Sequence, residues 1–115
     1  MSAFALADAL KRQPELDFSF SLAQLGEAEL KFYAPKGVDL QTPHSRDEFY
    51  IIARGNGTFE IEDRSFSFHS GDVLFVEARK EHRFKDFSED FATWVIFIDN
   101  PAMLRSRSAR AQGPG

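Results

Sequence analysis

His44 and Glu48 stand four residues apart at the head of a strand-like run, and His82 follows a Gly71-Asp72 turn further along the chain. Two imidazoles and one carboxylate suit a divalent transition metal that keeps open coordination positions for a small molecule. Each residue alone has an ordinary reading. His44 is a turn residue after Pro43, and His82 is a core histidine bonded to backbone. The remaining histidine, His69, lies just before Ser70-Gly71 and is expected to be exposed. The chemistry requires three groups in one place, so the elements that carry them decide whether it exists.

Side chains alternate across a strand with a period of two. In a strand starting near Glu48, that residue shares a face with Tyr50 and Ile52, while Asp47, of opposite parity, is expected to face outward. His44 has matching parity with Glu48, and His82 shares a face with Phe84. A carboxylate on an otherwise apolar face is costly to bury unless paired or bound to metal. The three groups are therefore expected to meet inside a β-barrel, at its mouth. Tyr50, Ile52 and Phe84 are the candidate lining of a substrate cavity there, and Gln41 is close enough to add its amide oxygen as a ligand.

The rest of the chain supports such a scaffold. Phe4, Leu6, Ala7 and Leu10 have helical spacing, with Ser2 as N-cap and Pro14 beyond the end. Thereafter short alternating runs prevail: Phe18 to Leu22, Ala28 to Ala34, Glu48 to Arg54, Thr58 to Glu62, Ser65 to Phe68, Val73 to Val76, Glu81 to Phe84 and Phe91 to Ile98. Asp63-Arg64, Ser70-Gly71-Asp72 and a hairpin-like Gly55-Asn56-Gly57 separate several of them. Many short strands at this spacing predict an all-β sandwich or barrel. The expected organisation is an N-terminal helix over 1–14, one β-domain over 15–101, and a flexible basic tail over 102–115, with no repeat or internal linker.

These residues resemble a known family, the small single-domain cupins. His44, Glu48 and Gly55 match the second His, the Glu and the Gly of the first cupin motif. Gly71-Asp72 and His82 match the opening and the metal-binding His of the second. The resemblance covers roughly residues 25 to 99 and implies an all-β, cupin-type jelly-roll barrel with a short N-terminal helix. It further implies a divalent metal (Zn, Fe, Mn, Ni or Cu) held by His44, Glu48 and His82. Thr42 stands where the family has its first His, which leaves a set of two His and one carboxylate. Arg79 stands in a turn often made by Gly, which predicts an altered, strained backbone there.

Composition narrows the function classes. The chain has 115 residues, a formal net charge of −4, no Cys and thirteen Phe. One domain with a ring-packed core fits that length. The absence of Cys excludes disulfides and thiolate metal sites, and the acidic balance offers nothing to nucleic acid. No apolar run is long enough to span a membrane, and the N-terminus lacks a signal-peptide pattern, so a cytoplasmic location is expected. A homodimer formed through an edge strand or apolar sheet face is expected. Trp94 and the Phe87/Phe91 pair are the candidate interface patch, and Arg46 and Arg83 are expected on solvated surface. No nucleophile–base pair or phosphate loop is visible. The resulting reading is a metal-dependent enzyme acting on a small organic molecule. The alternatives are a small-molecule-binding or sensor module without turnover and a metal-free structural cupin.

Overall fold

The computed structural model describes residues 3–12, 19–39 and 41–98. Among them are one helix, α1 (Leu6–Arg12), and eight strands: β1 (Ser19–Leu25), β2 (Ala28–Tyr33), β3 (Asp47–Arg54), β4 (Asn56–Ile61), β5 (Arg64–His69), β6 (Val73–Val76), β7 (His82–Lys85) and β8 (Ala92–Ile98). The strands form a five-stranded sheet ordered β1-β2-β8-β3-β6 and a three-stranded sheet ordered β5-β4-β7. All pairings are antiparallel. This is the jelly-roll arrangement of two facing sheets. The expected Ser2 cap, Phe18 and the 102–115 tail lie outside the described residues. Within them the helix begins on the Ala5 carbonyl, which accepts from the Asp8 and Ala9 amides.

The core divides in two. Between the sheets, Tyr50, Ile52, Phe59, Phe68, Val76, Phe84, Phe91, Val95 and Phe97 are buried together. Their rings meet at tilted or edge-to-face angles, with Phe84 4.7 Å from Phe91 and 4.8 Å from Phe59 and Tyr50. Such contacts add to area burial by about 0.5–1.5 kcal/mol per pair. The second cluster lies behind the large sheet, where α1 lays Ala9 against Phe20, Phe32, Ala34 and Ala92, with Trp94 packed at its edge.

That second cluster fixes which way β2 faces. Phe32 points out to the helix, so Lys31 and Tyr33, of opposite parity, turn toward the interior of the jelly roll. The apolar face of this strand is the outer one.

Four expectations are corrected by the packing. Gly55-Asn56-Gly57 is not a hairpin turn: it carries the chain from β3 in the large sheet to β4 in the small one. The crossing passes under the 86–91 segment so closely that a Cβ on Gly55, which has φ +87°, would lie 2.4 Å from Ser88 Oγ and 2.8 Å from Phe91 Cα. The β4–β5 hairpin turns through Glu62-Asp63, with Ile61 opposite Arg64. Phe91 is buried in the core with Phe87 packed against it, and Trp94 is partly covered by α1, so these three do not form an exposed patch. Exposed apolar side chains gather instead at Ile51, Val73 and Phe75 on β3 and β6. Finally, Asp47 is 2% exposed and its Oδ1 accepts the Ala78 N–H at 2.8 Å. It is covered by the connection between β6 and β7.

Candidate metal centre

β3 and β7 belong to different sheets, and the interior between them is where Glu48 and His82 meet. Glu48 has the parity of Tyr50 and Ile52, and His82 that of Phe84, so all of these face inward. His44 reaches the same point from the loop before β3. Its carbonyl accepts the Arg79 amide at 2.6 Å, which ties the loop of one ligand to the turn preceding the other. Arg79 has φ 68°, the left-handed conformation expected where a glycine is usual. The His44 ring stacks edge-on against Phe97, with centroids 5.0 Å apart.

One ligand atom from each of His44, Glu48 and His82 lies within 4.8 Å of the others. His82 Nε2 is 2.7 Å from Glu48 Oε1, and His44 Nε2 is 4.0 Å from the same oxygen. Donors roughly 2.1 Å from an ion stand about 3.0 Å apart when adjacent and about 4.2 Å apart when opposite. The 2.7 and 4.0 Å contacts to Glu48 Oε1 lie within a few tenths of an ångström of those two spans.

The electrostatics sharpen the fit. His82 Nδ1 lies 2.8 Å from the Lys80 carbonyl, an acceptor, so Nδ1 carries the proton. In the neutral ring Nε2 then points a lone pair at the Glu48 carboxylate. Glu48 Oε1, Oε2 and His82 Nε2 are all buried with no hydrogen bond of good geometry. The 2.7 Å approach of two acceptors is stable only with a cation between them: a proton on Nε2 or a metal ion. Burial pushes the His82 pKa down, but the Glu48 and Lys80 contacts outweigh it and the net shift is upward. Desolvation holds the His44 pKa below its ordinary value despite Glu48, which leaves that ring neutral and able to donate a lone pair.

Asp39, buried at 0% exposure, organises the adjacent wall. Its carboxylate accepts the Tyr33 hydroxyl, the Gln41 backbone and side-chain N–H groups at 3.1 and 2.8 Å, and the Phe84 N–H at 2.9 Å. The Gln41 amide is thereby oriented with Oε1 toward the Tyr50 hydroxyl, which donates to it at 3.0 Å. Burial first, then the nearby Glu48 and Asp39 charges, raise the Tyr50 pKa well above its ordinary value, so the phenol stays protonated. The candidate ligand oxygen of Gln41 thus has one lone pair engaged. Asp39 was not foreseen: it is a single acidic residue in a Pro- and Gly-containing loop, with no local sign that the loop folds inward.

Two cavities open beside the three residues. One, of about 320 Å³, is lined by His44 and Glu48 together with Lys31, Tyr33, Val95 and Phe97. The other, of about 400 Å³, is lined by His82 with Glu60, Glu62, Glu81, Arg83 and Lys85. Gln41 and Thr42 line both. Tyr50, Ile52 and Phe84 are packed in the core and line neither. His69 is exposed. Arg46 is half-buried, paired with Glu29 at 2.9 Å and stacked 4.3 Å from the Phe97 ring centroid.

Comparison with known proteins agrees with this fold. A curated protein of Streptomyces coelicolor, described as uncharacterized, is 32% identical over 59 residues, which is 51% of this chain and 56% of that protein. The match therefore spans little more than half the length of that relative. The fold is similar to that of a cupin-2 domain protein from Shewanella frigidimarina (TM-score 0.67, 15% identity, covering 84% of this chain and 94% of the other). It is also similar to a cupin superfamily protein from Desulfitobacterium hafniense (TM-score 0.59, 21% identity, covering 71% and 76%). The family model described as "Cupin domain" matches residues 30–98, from β2 to the end of β8, and the chain belongs to that family.

Proposed function

We propose that His44, Glu48 and His82 bind one divalent transition metal and present it to a small organic molecule in the adjoining cavity, as a metal-dependent enzyme. The observation that carries this reading is the buried, unsatisfied approach of His82 Nε2 to Glu48 Oε1. Buried polar atoms without partners are rare and costly, and a cation between these two removes the cost. The ligand set accepts Zn, Fe, Mn, Ni or Cu. Bound there, such an ion supplies Lewis-acid chemistry at its open positions. Glu48 supplies the charge, the Lys80 carbonyl fixes the His82 tautomer, and Phe97 and the Arg79 amide hold His44 in place. Gln41, steadied by Asp39, brings an amide oxygen to the same wall, and Tyr50 acts through it.

A second reading, a binding or sensor module without turnover, is favoured by one observation. Among the described residues, the ionisable groups lining the smaller cavity apart from the ligands are Lys31 and Tyr33, and the Tyr33 hydroxyl is donated to Asp39. None of these is placed as a spare general base.

Metal analysis of protein purified without chelator tests the proposal. The expected result is about one equivalent of a divalent metal per chain, lost in His82→Ala. A wild type that binds none even after incubation with Zn²⁺, Mn²⁺ or Fe²⁺ overturns it, and metal retained by His82→Ala overturns the ligand set. Oxygen-consumption and product screens over phenolic, thiol and keto-acid compounds then separate enzyme from binder. We further propose a cytoplasmic location and a homodimer, the homodimer supported by the exposed Ile51, Val73 and Phe75 on the edge strand β6 and its neighbour β3.

A further inference from the structure

We infer that the cavity beside His44 and Glu48 takes a small organic acid, with Lys31 as the residue that holds its carboxylate. The inference names the substrate class of the site proposed above, and it rests on that reading for what the other end of the molecule meets.

The walls set the body of the ligand. Pro35, Val38, Val95 and Phe97 are apolar, and the volume of about 320 Å³ suits a molecule of modest size. Among the ionisable side chains lining the cavity are Lys31, His44 and Glu48. The last two converge on the metal centre, so Lys31 is the cationic contact left for the ligand. It has no ion pair among the described residues: its natural neighbour on the same strand face, Glu29, is engaged by Arg46 at 2.9 Å. The Lys31 stem lies along the inner face, with Nζ 5.8 Å from the Phe97 ring centroid. Lys31 is half-buried and borders a largely apolar space, and an ionised acceptor makes the strongest hydrogen bond available to its ammonium.

The register sets the reach. Lys31 pairs with Val95, and Val95 pairs with Tyr50, while Glu48 pairs with Phe97. Lys31 and the Glu48 side of the cavity are thus two strands apart, roughly 10 Å between backbones. A ligand with its carboxylate on Lys31 can extend across Val95 and Phe97 and place its opposite end at the His44–Glu48 side. With a divalent ion on Glu48 and the Arg46–Glu29 pair neutral, the cavity carries net positive charge, which favours an anion.

The test titrates benzoate, phenylacetate and hexanoate, and the corresponding uncharged amides, into zinc-loaded and metal-free protein by calorimetry. The acids are expected to bind at least about tenfold more tightly than the amides in both forms. Lys31→Met is expected to abolish the preference while keeping zinc stoichiometry and the unfolding midpoint, and Lys31→Arg to keep it. Equal binding of acids and amides, no binding of any acid, or a preference that survives Lys31→Met overturns the inference. An acid preference in a protein that takes up no metal defeats the metal reading alone. Zinc uptake without the preference defeats the Lys31 assignment alone.

Discussion

In the proposed metal centre, a proton and a metal ion compete for one nitrogen of His82, Nε2. In the metal-free fold the contacts with Glu48 and Lys80 raise its pKa above the ordinary 6.5, against the pull of burial. A raised folded pKa contributes stability that is present below the unfolded value and is lost as pH rises through the folded one. Metal requires the unprotonated nitrogen, so its affinity moves the other way. From about pH 6 to about pH 8, the advantage of metal-free wild type over His82→Ala in urea midpoint should shrink while zinc affinity grows. Parallel trends in the two titrations would remove His82 from the site. Asp39 is the other residue with a sharp expectation, because four donors converge on its buried carboxylate. In Asp39→Asn a side-chain N–H₂ meets an N–H donor wherever it turns. We expect a stability loss of about 2–4 kcal/mol by urea unfolding and zinc affinity weakened by roughly 10–100-fold. Unchanged values in both would mean that the wall does not position the site.

At the scale of elements, the Gly55 crossing is a tight joint between the two sheets. Gly55→Ala combines a left-handed φ with a Cβ overlapping Ser88 and Phe91, and should cost about 2–4 kcal/mol in denaturant unfolding. A loss below about 0.5 kcal/mol would show that the 86–91 segment yields freely. The same joint shows where the sequence was legible. The parity of Glu48, Tyr50 and Ile52 and the strand ends at Gly55 and Gly71-Asp72 could be read locally, and the unusual backbone at Arg79 (φ 68°) through the resemblance to the family. The hairpin reading of Gly55-Asn56-Gly57 failed because hairpin and sheet change use the same glycine chemistry. Only the tertiary partner, the 86–91 segment, distinguishes them. Asp47 was read as outward for a similar reason: parity gives the face of a strand, not what lies over it. Asp39 was missed because a loop carries no periodicity at all.

For the whole molecule, the two apolar surfaces of the large sheet differ in what covers them. The β1, β2 and β8 end is sealed by α1. The β3 and β6 end leaves Ile51, Val73 and Phe75 at 36%, 60% and 46% exposure beside an unpaired strand edge. If this face joins two copies of the chain, Val73→Glu combined with Phe75→Glu should convert a dimer to a monomer by light scattering, with zinc binding intact. A wild-type monomer at high micromolar concentration would refute the dimer. The position of α1 has a further consequence through β2. Phe32 anchors the helix on one side of that strand, while Lys31 and Tyr33 face the cavity on the other. On the proposed reading, alternate residues answer to separate constraints, one set to folding and one to ligand. A lineage can exchange the inward residues and explore new chemistry with little loss of foldedness, so β2 is where recognition should diverge fastest among descendants of this barrel.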